Sequence, residues 1–109
     1  MRKIELEMTR AARTGRDWRS GNTSVDVTDH GVIVRLHGNK IAQILGDKMY
    51  VTDCGWQTVT TKSRLNSLLR EFTDGAYIYQ SKFKWYLVFP GGQDCEMEHN
   101  DVYDILCAS

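Results

Sequence analysis

The densest cluster of groups able to do chemistry is Trp56-Gln57-Thr58-Val59-Thr60-Thr61-Lys62-Ser63-Arg64, which mixes hydroxyls, two cations and an indole. An amphipathic pattern begins within this stretch, so it reads as the start of a helix. Unpaired N–H groups and the positive end of the helix dipole attract anions there. Trp56, Thr58, Thr60, Thr61, Lys62 and Arg64 would then compose a site for an anion, a nucleotide or nucleic acid, with the indole as a stacking surface. The plainer reading has one threonine capping the helix, Trp56 in the core and the cations solvated. No glycine-rich phosphate loop accompanies the cluster.

A second constellation is aromatic and basic. Tyr77, Tyr79, Lys82, Lys84 and Tyr86 alternate with Phe83 and Trp85 along two short strands. Exposed rings among cations suit single-stranded nucleic acid, and an exposed aromatic patch suits a protein partner equally well. Strand alternation sends about half of these rings into the core.

Other combinations are weaker. Cys95, Glu96, Glu98, His99 and Asp101 mix soft and hard ligands at a spacing that matches no closed zinc site. His30, His37 and His99 are scattered through turns and the C-terminal stretch, and nothing in the spacing couples them to Cys54 or Asp53. No serine elbow or carboxylate pair stands out. The expectation is a protein without enzymatic activity, metal or cofactor.

The elements that must position these groups follow from periodicity. Ile4, Met8 and Ala11 give a helix over residues 3–14 that stops at Gly15. Residues 22–53 read as four antiparallel strands, with a tight Gly38-Asn39 hairpin. That hairpin would place Val32, Val34, Leu36, Ile41, Gln43 and Leu45 on one face. A two-residue turn at Gly46-Asp47 would then misplace Met49 and Val51, so a longer or bulged turn is expected there. Leu65, Leu68, Leu69 and Phe72 make one stripe of a helix over Thr60–Phe72, capped by Thr60 or Thr61 and ended by Gly75. Strands Ala76–Gln80 and Phe83–Phe89 follow, and Asp101–Cys107 reads as a short helix with Val102, Ile105 and Leu106 facing inward. The predicted class is α+β in the order α-ββββ-α-ββ: a four-strand meander, a C-terminal hairpin, an N-terminal helix and a central amphipathic helix. Residues 1–92 would form one domain and residues 93–109 an acidic tail.

The chain has 109 residues, 41% apolar and 26% charged, which fits one domain with its own core. No apolar run is long enough for a membrane helix, and no signal-peptide stretch follows the basic start, so a cytoplasmic protein with no membrane partner is expected. Three dispersed cysteines without a CxxC pair fit a reducing compartment. Net charge is zero, yet residues 90–109 hold five acids and no Lys or Arg, whereas residues 1–20 hold six Lys or Arg against three acids. An open strand edge could pair two copies, so a homodimer is an expectation as well.

Four motifs occur in order: Gly21-Asn22-Thr23-Ser24-Val25, Leu36-His37-Gly38-Asn39-Lys40-Ile41-Ala42, Gly55-Trp56 through Asn66, and Phe83-Lys84-Trp85-Tyr86-Leu87. Together they resemble a family of short phage and prophage proteins grouped only as a domain of unknown function, over residues 10–89. Pro90-Gly91-Gly92 and the acidic stretch beyond it depart from that pattern. The resemblance implies a phage accessory protein in the cytoplasm of the host cell. Such proteins commonly bind a host protein for takeover or anti-defence, or handle nucleic acid. The expected function is a non-enzymatic binder of a host protein, the alternative a binder of nucleic acid or nucleotide at the basic helix start.

Overall fold

The computed structural model describes residues 2–108. Helix α1 (Lys3–Thr14) leads into strands β1 (Trp18–Ser20), β2 (Thr23–Thr28), β3 (Gly31–Leu36), β4 (Asn39–Leu45) and β5 (Lys48–Val51). Helix α2 (Val59–Phe72) follows, then β6 (Tyr77–Ser81), β7 (Lys84–Val88), β8 (Asp94–Glu96) and β9 (Tyr103–Leu106). All pairings are antiparallel, in a six-stranded sheet ordered β1-β2-β3-β4-β5-β9 and a three-stranded sheet ordered β6-β7-β8. The expected α+β class holds. The meander gains a strand at each edge, and the C-terminal hairpin forms a sheet of its own with β8.

The core lies between the large sheet and the helices. Met8, Ala11 and Ala12 of α1 and Leu65, Leu68 and Leu69 of α2 are buried with Val25, Val34, Ala42, Met49 and Val51. Ile78, Trp85 and Leu87 of the small sheet join the same cluster, because α2 also packs on β6. Gly15 ends α1 in the left-handed region at φ 67, its N–H donating to the Ala11 carbonyl. Thr58, rather than Thr60 or Thr61, caps α2 by accepting from the Thr61 N–H. At the other end Thr73, rather than Gly75, closes the helix: its hydroxyl donates to Leu69 O and accepts from Ala76 N–H.

The β3–β4 hairpin corrects the expected faces. Its turn is His37-Gly38, one residue earlier than predicted, with Leu36 facing Asn39 and Arg35 facing Lys40. The register then shifts, and Val34 faces Ala42 with Ile41 as the extra residue. This bulge turns Ala42 and Ile44, not Gln43 and Leu45, toward the core side shared by Val32 and Val34. A plain two-residue turn at Gly46-Asp47 then suffices to face Met49 with Ile44 and Val51 with Ala42. The irregularity expected at the second turn sits one hairpin earlier.

The turn between β2 and β3 admits only glycine at one position. Gly31 has φ +93, and a Cβ there would lie 2.2 Å from the Ile44 carbonyl oxygen.

The short helix expected over Asp101–Cys107 is strand β9. Tyr103 and Ile105 point inward while Val102, Asp104 and Leu106 stay exposed, a period of two, and pairing with β5 satisfies the backbone. The acidic stretch is therefore woven into both sheets: β8 borders β7, Met97 N–H donates to Trp85 O, and Met97 and Ile105 are buried.

Candidate functional site

The residues of the helix-start cluster separate. Trp56, Thr58, Thr60 and Thr61 line a cleft of about 480 Å³ together with Leu36, His37, Asn39 and Asp53. Thr58 and Thr61 share a hydroxyl–hydroxyl hydrogen bond as part of the cap. Trp56 is 64% exposed at the rim rather than in the core. Asp53 is buried and fully engaged: its carboxylate accepts from the Gly55 and Asn100 N–H groups and from the Gln57 amide, which fixes the loop that carries Trp56.

The two cations leave this cleft. Arg64 is buried and donates to Glu5 of α1 at 2.8 Å and to Thr23 Oγ1 at 3.1 Å. Burial pushes the Glu5 carboxyl up, but hydrogen bonds from Ser63, Arg64 and Ser67 outweigh it and hold the group below its ordinary value. Arg64 thus clamps α2 to α1 and β2. Lys62 faces the small sheet and donates to Gln80 at 3.3 Å.

Of the groups considered for catalysis, His37 and Asp53 line the same cleft. Cys54 donates its thiol to the Lys40 carbonyl, and burial, with Asp53 adding to it, pushes the thiol pKa up, away from the nucleophilic thiolate. His99 lies 3.9 Å from Asp53 Oδ2. His30 occupies the β2–β3 turn, and His37 the β3–β4 turn.

The aromatic constellation, by contrast, comes together. Tyr77, Tyr79 and Tyr86 share the outer face of the small sheet, as Ile78, Trp85 and Leu87 point inward. Tyr79 and Tyr86 are cross-strand partners with ring centroids 5.2 Å apart and planes 18° apart, and Tyr77 lies 6.2 Å from Tyr79. Tyr79 donates to Asp94 of β8 at 2.9 Å, a bond that raises its pKa. Lys84 lies on the same face, 3.8 Å from Glu96. Glu96 thus faces Lys84, and Asp94 adds a second acid to the same face.

Phe83, read in the sequence as part of the aromatic constellation but at the start of a strand, lies in the turn instead. Ser81 pairs with Lys84, so Lys82-Phe83 is the two-residue turn. Both residues have positive φ, 50 and 67. That geometry favours Asn-Gly and strains a bulky side chain. The Phe83 ring is 94% exposed at the tip.

No helix among the described residues is long and apolar enough to cross a membrane. No curated protein and no solved structure matches the chain. The family described as Kyanoviridae Gp96 protein matches residues 1–104, in line with the phage resemblance read from the motifs, and the chain belongs to that phage protein family.

Proposed function

We propose that this phage protein is a non-enzymatic binding module that modulates a host protein in the host cytoplasm through the outer face of the β6-β7-β8 sheet. The observation that carries the reading is Phe83, a fully presented aromatic held on a strained turn of the hairpin that carries the stacked Tyr79 and Tyr86. Strain of this kind costs about 1–3 kcal/mol per residue and persists where something other than stability maintains it. A large aromatic at the tip of a hairpin whose outer face carries Tyr77, Tyr79 and Tyr86 has the composition of an interface centre, with charged residues at its rim. The two acids on that face, Asp94 and Glu96, favour a protein partner over a polyanion there. The alternative read at the helix start, a nucleotide or nucleic acid, is weakened because Lys62 and Arg64 are directed elsewhere.

The test is capture from nuclease-treated host lysate, using the intact chain and a Phe83→Ser/Tyr86→Ala variant as baits. The reading expects one host protein retained near one-to-one by the first and lost by the second. Equal retention by both would place the contact surface elsewhere.

A further inference from the structure

A row of cations crosses the opposite side of the molecule, on the face of the six-stranded sheet turned away from the helices. Register places Arg19 of β1 beside Ser24 of β2, Ser24 beside Arg35 of β3, and Arg35 beside Lys40 of β4. Arg35 is paired to Asp26 at 2.9 Å, while neither Arg19 nor Lys40 has an acidic partner among the described residues. Lys40 instead donates to Gln43. Asp26 offsets the like-charge opposition of Arg35 and Lys40 across the strands, so Arg19 and Lys40 are the cations of the row left to attract an external anion.

The shape of the face suits an extended anion. Arg19 and Arg35 flank a cleft of about 310 Å³ whose floor is the buried Ser24, a residue small enough to leave the space between them open. On the other side of the row Lys40 shares a second cleft, of about 230 Å³, with Gln43 and Tyr50. Neighbouring strands lie about 4.8 Å apart, so the row from β1 to β4 spans about 14 Å, longer than one phosphate can bridge. Cations in a line with an aromatic at one end are what a strand of phosphates and unstacked bases requires.

We infer that this face binds single-stranded nucleic acid, with Arg19, Arg35 and Lys40 on the phosphates and Tyr50 under a base. The site is separate from the aromatic hairpin, and either can stand without the other. It is tested by fluorescence anisotropy with a labelled oligothymidylate of about 12 nucleotides. Three phosphate contacts give a slope of log affinity on log salt of about −2. Arg19→Gln/Lys40→Gln should weaken binding about ten-fold or more at low salt, and Tyr50→Ala should weaken it about five-fold or more. The control Lys82→Gln/Lys84→Gln, which removes the same charge from the hairpin, should leave affinity unchanged, and unfolding curves establish that all variants fold. No binding by the unmodified protein, or equal loss in the control, would overturn the inference. So would a Tyr50→Ala variant of full affinity, or heparin competing as well as the oligonucleotide, since either would reduce the face to a general polyanion surface.

Discussion

Arg64 decides between two accounts of the central helix, and its removal has a calculable cost. In the structure its guanidinium and the Glu5 carboxylate are 2.8 Å apart with side-chain exposures of 5% and 3%. Arg64→Met keeps much of the packing volume but leaves Glu5 charged, buried and without its cationic partner. Breaking a buried pair in this way costs about 3–5 kcal/mol, a large share of the roughly 5–15 kcal/mol that holds a domain together. In urea unfolding followed by tryptophan fluorescence, with Trp85 2% exposed as a core reporter, the midpoint should fall steeply. The double variant Glu5→Met/Arg64→Met should recover most of the loss, since an apolar pair replaces an ionic one at little net cost. The pH dependence has a definite sign. Glu5 has its folded pKa lowered from the ordinary 4.5, so its contribution is present above that value and fades as pH falls through the folded pKa. In Arg64→Met burial acts against fewer opposing partners, so acidification should narrow the deficit rather than widen it. A solvated anion-binding Arg64 would instead cost under about 0.5 kcal/mol. A loss that small, or a double variant no better than the single one, would refute the clamp.

Three further outcomes are expected. Asn66→Ala should lose about 1–3 kcal/mol, measured by urea unfolding, because its amide closes the free edge of β6 by accepting from Ile78 N–H at 2.7 Å and donating to Ile78 O at 3.0 Å. Gly31→Ala should lose more than about 3 kcal/mol, or fail to fold, as judged by circular dichroism, because strain at positive φ adds to the backbone clash at Ile44. Truncation after residue 96 should abolish cooperative unfolding, as it removes buried Met97 and Ile105 and the whole of β9; a stable shortened domain would contradict the role assigned to that segment.

Much of this fold was legible because it rests on local periodicity. The stripe Leu65, Leu68, Leu69 and Phe72 needs no tertiary information to declare a helix, and the Val25–Val27 and Val32–Val34 alternations declare strands equally well. What escaped was non-local. The bulge at Ile41 is visible only once Met49 and Val51 must share a face with Ala42. Val102, Ile105 and Leu106 fit a helical spacing until β5 offers a partner edge and draws in Tyr103 and Ile105 instead. Among the candidate site residues, spacing correctly put Tyr77, Tyr79 and Tyr86 in adjacent strands. It could not foresee that Glu5, far away in sequence, would take Arg64 out of the helix-start cluster.

The contact surface is tested most directly by replacing Lys82-Phe83 with Asn-Gly and measuring unfolding free energy and host-protein capture on the same preparation. Asn-Gly suits a turn with two positive φ angles, so relief of strain should raise stability by about 1 kcal/mol or more, while loss of the Phe83 ring should abolish capture. A turn variant that is no more stable, or one that still retains the host protein, would contradict the claim that the strained aromatic tip exists to bind a partner.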